Sequence, residues 1–341
     1  MKFFYGKSLT GLGLLAALVV VNLIVSGCAS NEAMMNARAE LRNSGTPFNR
    51  TAFVAAIDEG DSEKVALFLK AGISRTDWRG ANPLGTAVYK KRDGILSQLL
   101  DGGFDPDIDG YGGTPLCVAA ATGNVKAAET LIAKGADVDY LHDCLNPLMA
   151  AAKAGHADMA RLLIEKGADV DIQSNPTGVF PLRLAAESGG GDVVKALLDA
   201  KADTSLADAS GNTALYWAVR GGRRETAKLI LESPDFTLGD DVDNIIALAM
   251  ARGYIDLVKD ICAKGADPNS EYGQIPLLSW AIAQGYEEGV KALIDAGADL
   301  NKPDKDGATP LDYALRSGNS TIIALIKEAA VKVKPTDDTA Q

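Results

Sequence analysis

Positive charge, histidine, cysteine and aromatic rings are all scarce in this chain of 341 residues. Lys and Arg number 34 against 45 Asp and Glu, for a net charge of −11. A chain this acidic gains nothing from counterion release on a phosphate backbone, so nucleic-acid binding is not expected. Two His and four Cys argue against a zinc cluster or a disulfide-rich scaffold. Aromatic residues are only 6% of the chain, whereas Gly occurs 35 times, which points to tight turns and small-residue packing. Disorder of the whole chain is excluded, because 47% of residues are hydrophobic and 23% charged. The length suits one large domain or two small ones.

The first residues read as an address. Lys2 and Lys7 precede a nearly unbroken apolar run from Leu9 to Val25, followed by Ser26, Gly27 and Cys28. A positive start, an apolar stretch and small residues form an export signal. An uncleaved transmembrane anchor is the alternative, since about 17 apolar residues nearly span a bilayer. Val25-Ser26-Gly27-Cys28 resembles the lipobox of bacterial lipoproteins. That resemblance implies a signal peptide over 1–27, cleaved before Cys28, whose thiol would carry the lipid. Ala29 stands where an Asp favours the inner membrane, so the resemblance implies an outer-membrane lipoprotein facing the periplasm if the cell is Gram-negative. Residues 28–48 would be the lipidated Cys and a linker, with Met34, Ala37 and Leu41 on one face of a short capping helix.

The body repeats. Thr114-Pro115-Leu116, Ala119-Ala120, Gly123, Leu131-Ile132 and Gly135-Ala136-Asp137-Val138-Asp139 recur in order from Asn146, and again from Pro181, Ala214 and Pro310. The Pro slot falls at Ala52, Pro83, Pro115, Pro147, Pro181, Ala214, Ile245, Leu277 and Pro310, at spacings of 31 to 34 residues. This resembles the ankyrin repeat, which has a 33-residue period. The implied fold is all-α: a solenoid of about nine helix-turn-helix units over 49–330, joined by β-hairpin loops, with a disordered tail over 331–341.

Each slot has a physical reason. Thr or Asn caps a helix, Pro follows where a missing N–H costs nothing, and Gly permits the left-handed turn at the end. The Ala pair lets helices approach. No unit buries both its faces alone, so stacking supplies the stability. Lys91 in the Gly slot of the second unit predicts a strained turn. The seventh unit lacks both the Thr-Pro start and a preceding Gly-Ala-Asp, so a mobile loop or a break in curvature is expected there.

Candidate chemistry is thin. Asp105 to Gly110 matches half a calcium loop, but Leu116 stands where the bidentate Glu belongs. His156 fills a slot where a structural hydrogen bond is the expected role. Cys262 reads as a packed thiol, and a Cys117–Cys144 disulfide is left open. The recurring Asp and Glu read as a solvated face. No catalytic residue, metal site or cofactor is nominated, and an enzyme is not expected.

What remains is binding. Carried over from the ankyrin resemblance, the exposed hairpin tips include Trp78, Arg79, Tyr111, Tyr140 and His142, and the ends of first helices include Tyr89, Lys90 and Arg220. Trp78 and Tyr111 are the leading pair. Trp217, Trp280 and Tyr313 share one first-helix slot and read either as packing or as contact. The chain is therefore read as a monomeric, membrane-anchored scaffold binding another protein on the concave face. An immunity lipoprotein that sequesters a toxin, such as a lipase, is the alternative. A hydrolase with an unrecognised site is a more remote one.

Overall fold

A computed structural model describes residues 30–333, apart from 77, 79, 81, 111, 143 and 144. The signal-like segment, Cys28 and the tail from 334 onward lie outside the described residues. Helix α1 covers 30–43. Nine helix pairs follow among the described residues. They are α2 (Arg50–Glu59) with α3 (Ser62–Lys70), α4 (Pro83–Tyr89) with α5 (Asp93–Asp101), α6 (Pro115–Thr122) with α7 (Val125–Ala133), and α8 (Pro147–Ala154) with α9 (Ala157–Glu165). Next come α10 (Pro181–Ser188) with α11 (Gly191–Asp199), α12 (Ala214–Arg220) with α13 (Arg224–Leu231), and α14 (Val242–Ala251) with α15 (Ile255–Ala263). The last are α16 (Leu277–Gln284) with α17 (Glu287–Asp295) and α18 (Pro310–Ser317) with α19 (Ser320–Val333). The architecture is the expected all-α solenoid of helix-turn-helix units.

The chain divides into two compact units: residues up to Leu116 with Lys126–Ala136, and Cys117–Val125 with everything from Asp137 onward. In the first, α1 lays Ala37 and Leu41 into the core, and Arg38 Nε donates to the Ala71 carbonyl at 3.0 Å. An aromatic cluster of Phe53, Phe68 and Phe104 fills the interior beside it.

The caps follow the sequence. Asn82 and Asn146 accept the N–H groups of Gly85 and Met149, and Thr309 forms a reciprocal pair with Asp312. Pro83, Pro147, Pro181 and Pro310 open their helices. The Leu after the Pro slot is at most 2% exposed at Leu84, Leu116, Leu148, Leu182 and Leu215. Each such burial contributes about 2 kcal/mol. Lys91 does adopt the left-handed backbone, with φ of 54°.

The residue after the Gly slot ties one unit to the next. His156 Nε2 lies 3.2 Å from the Ala121 carbonyl, as its structural reading requires. Arg92 does the same on Asp58, Arg223 on Glu187 and Tyr254 on Gly222.

The connecting loops differ from the expected hairpins. Among the described residues, paired strands occur only at β1 (Glu271–Tyr272) and β2 (Ile275–Pro276), besides isolated bridges at His142–Leu145 and Ala207–Thr213. Side chains replace the ladder. Asp137, Asp169, Asp203, Asp267 and Asp299 each accept the N–H two residues on, an Asx turn. A second carboxylate or amide then bonds the following unit: Asp139 accepts from Asp169 N–H at 3.1 Å, Asp171 from Asp203 at 2.9 Å, and Asn269 from Asp299 at 2.6 Å. These acids are structural acceptors, which corrects their reading as a merely solvated face. Burial pushes the Asp139 and Asp171 carboxyls upward, against the bonds they accept.

The seventh unit nevertheless forms its helix pair. Its missing turn is replaced by Thr237 N–H donating to Thr204 Oγ1 at 2.9 Å and by a buried bond from Thr213 to Asp241.

Candidate protein-binding surface

The nominated contacts scatter. Trp78 is not an exposed tip: it is 3% exposed. Its ring lies 5.6 Å from Phe53 and 6.2 Å from Phe104, and its indole N–H donates to the Ser74 carbonyl at 2.9 Å. The large apolar rings of the first unit outbid solvent for the indole, a burial worth about 2 kcal/mol or more. Arg79 and Tyr111, its expected neighbours, lie outside the described residues, as does Cys144. Tyr89 is 65% exposed at the end of α4, and Lys90 beside it is ion-paired to Asp58 at 2.6 Å. Tyr140 and His142 are half-buried in the loop before α8. Arg220 is exposed at the end of α12, two units further along.

The shared aromatic slot is more informative. Trp217 donates its indole N–H to Asp208 at 2.8 Å, and the Tyr313 hydroxyl donates to Asp304 at 2.7 Å. In both cases the acid stands nine residues before the ring, at the start of the loop. The loop folds back so that the aromatic closes onto its base. Arg183 and Arg220 stack on Trp217 at 4.0 and 4.7 Å. Those two aromatics are therefore engaged within the protein.

Trp280 breaks the rule. Its counterpart acid, Glu271, pairs instead with Lys302 at 3.6 Å. Among the described residues, no acceptor takes the Trp280 indole N–H. The ring packs against Tyr272 at 4.9 Å and Tyr286 at 5.6 Å. Tyr272 is held there by the β1–β2 turn, where Gly273 and Gln274 both have positive φ, as a tight two-residue hairpin requires.

The result is a cleft of about 300 Å³ lined by Tyr216, Asn244, Ala247, Leu248, Ala251, Tyr272 and Trp280. The walls are rings from α12, β1 and α16, and the floor is the small-residue face of α14. Among the described residues, the polar ends of Tyr216, Asn244, Tyr272 and Trp280 make no side-chain hydrogen bond. A larger groove, of about 570 Å³, lies over α11 and α13 and is lined by Lys195, Lys201, Asp199, Glu232 and Asp235 among others. Its mixed charges and lack of rings make it the weaker recognition surface.

Among the described residues, no carboxylate lies within ion-pair distance of Arg220 or Arg252, in a chain of net charge −11. Arg220 is one helical turn beyond Tyr216, and Arg252 one turn beyond Leu248. The Arg252 guanidinium donates to the Arg220 carbonyl, while the Arg220 guanidinium lies over Trp217. Among the described residues, no group of three His, Cys, Asp or Glu is placed to hold a metal ion. No helix among them is long and apolar enough to cross a membrane.

Helix pairs joined by side-chain-bonded loops and repeated along the chain define a helical repeat array. The chain belongs to the ankyrin-repeat family: the family model for ankyrin repeats matches three times, over residues 94–174, 148–241 and 245–337. The potassium channel KOR1 of Oryza sativa subsp. japonica is 36% identical over 85 residues, 25% of this chain and 10% of the channel. An ankyrin repeat-containing protein of Treponema pallidum (strain Nichols) is 35% identical over 105 residues, 30% of this chain and 35% of that protein. The matches thus span between a tenth and about a third of these relatives. The crystal structure of the ankyrin repeat domain of Bcl-3, titled a unique member of the IkappaB protein family, is similar with a TM-score of 0.55 and 26% identity. It covers 63% of this chain and 99% of that one.

Proposed function

We propose that this protein is a membrane-anchored scaffold that binds another protein through the Tyr216–Trp280 cleft. The observation that carries the reading is the set of unbonded polar groups on half-buried rings, in an array whose other slot aromatics are internally satisfied. Rings with one polar end dominate interface energies. The anchor rests on the sequence alone: the apolar run and Val25-Ser26-Gly27-Cys28, with lipid on the Cys28 thiol and an outer-membrane, periplasm-facing position in a Gram-negative cell. Tethering raises the local concentration of a partner at that membrane. Binding is the mechanism of this reading, carried by a cleft lined with rings and apolar or neutral polar side chains.

Crosslinking in native envelopes, purification and mass spectrometry test this. A partner retained by wild type and lost on Trp280→Ala supports the cleft. A partner equally retained by Trp280→Ala assigns binding elsewhere. The partner's identity separates a housekeeping assembly role from sequestration of a toxin. Cys28→Ala should release the protein from membranes into the aqueous phase of a detergent partition; unchanged membrane association would refute the lipid anchor.

A further inference from the structure

We propose that the occupant of this cleft is an acidic segment of the partner that carries one large apolar side chain. This rests on the protein-binding reading of the same cleft. The apolar side chain enters between Tyr216, Tyr272 and Trp280, over Ala247 and Leu248. A main-chain carbonyl of the segment accepts the Trp280 indole N–H. Its flanking carboxylates meet Arg220 and Arg252 at the C-terminal ends of α12 and α14.

Three observations converge. The cleft is lined by apolar and neutral polar residues, with no charged side chain among them. Its volume of about 300 Å³ is at the bottom of the range for small-molecule sites, roughly 300–1,000 Å³, and suits a single anchoring side chain. Arg220 and Arg252 stand one helical turn beyond the cleft residues Tyr216 and Leu248, and among the described residues no carboxylate lies within ion-pair distance of either. Several other cations of the array are held by carboxylates, as with Lys90–Asp58, Lys126–Asp93, Arg183–Asp208 and Arg224–Asp256. Aromatic rings alone would also attract a cation. The arginine rim repels one, and it is this rim that decides the sign of the partner.

A random nine-residue peptide library displayed on phage, selected on the full chain held in mild detergent, provides the test. The enriched pool should share one large apolar residue flanked by two or more Asp or Glu. Enrichment should fall at least tenfold on Trp280→Ala and on the double variant Arg220→Glu, Arg252→Glu. Trp280→Phe keeps the ring while removing the donor, and should reduce binding several-fold with an unchanged melting curve. A Lys- or Arg-rich consensus, an acidic consensus insensitive to these variants, or no enrichment overturns the proposal. The envelope crosslinking separates the two readings. A partner lost on Trp280→Ala alongside a basic consensus leaves the binding site standing and removes only this chemistry.

Discussion

The carboxylate of Asp241 is bonded to Thr213, the N-cap of α12, across the irregular junction between the sixth and seventh units. Its Oδ2 accepts the Thr213 backbone N–H at 2.7 Å and the hydroxyl at 3.0 Å. Asp241 is 3% exposed and Thr213 2%. The other oxygen, Oδ1, has no hydrogen-bond partner. This bond fastens the segment before α14, where the sequence offers neither a Thr-Pro start nor a Gly-Ala-Asp turn.

Removing that carboxylate strands two buried donors. Asp241→Ala should therefore cost about 2–4 kcal/mol, read by urea denaturation. Asp241→Asn keeps an acceptor and removes the charge. Burial pushes the Asp241 carboxyl up, the Thr213 bonds oppose that, and Asp208 adds repulsion. A carboxyl whose folded pKa lies above its unfolded value holds its proton more tightly when folded. Stability then falls as pH rises through the folded pKa. Wild type should lose stability relative to Asp241→Asn as pH climbs from about 4 to 7. A gap that stays constant over that range would show that the carboxylate carries no buried-charge penalty.

The inter-unit bonds from Asp139 and Asp171 predict a similar split. Alanine at either position leaves the next loop's N–H without its acceptor and should cost about 1 kcal/mol. Asparagine should be neutral or stabilising near pH 7, because Asn269 already performs this role with its amide oxygen on Asp299 N–H. Burial raises both carboxyls, and Asp169 and its neighbours add repulsion. Thermal melts of the four single variants decide it. Equal losses for Asn and Ala would mean that the charge itself is needed.

The unit register, the caps and the His156 bond were legible because each is a local device that the chain repeats. Trp78 was not. A tryptophan in a loop reads the same whichever way its indole turns, and here the direction is set by Phe53 and Phe104, which are remote in sequence. The acid nine residues before Trp217 and Tyr313 was visible in Asp208 to Trp217 and Asp304 to Tyr313. It passes unnoticed when loop tips are read for exposure rather than for partners. The cleft required structure, since no motif records that Trp280 lacks the bond its slot-mates make.

Lys201 occupies a slot where Gly135, Gly167, Gly265 and Gly297 sit at φ near 90°, and its own φ is 65°. A side chain in the left-handed region costs about 1–2 kcal/mol. Lys201→Gly should recover about 1 kcal/mol, less the added freedom of the unfolded chain, and raise the melting temperature. The side chain is exposed, so no packing is lost. A lower melting temperature would show that Lys201 makes a compensating contact.

Asp256 joins the second helices of the sixth and seventh units by accepting from Arg224 at 2.7 Å and Lys228 at 2.8 Å. Burial works to raise its carboxyl, but the two cations outweigh that and hold it down at about 2. A depressed folded pKa gives the opposite pH sign to Asp241. The stabilisation is present above the unfolded value of about 3.9 and is lost as pH falls through about 2. The site is partly open to solvent, so screening limits its worth to about 1 kcal/mol. Asp256→Asn should thus lower stability by about that amount near pH 7 in low salt. The loss should shrink in about 1 M salt, where the Debye length is only about 3 Å, and vanish below about pH 2. A deficit that persists unchanged in salt and acid would assign Asp256 to packing rather than to charge.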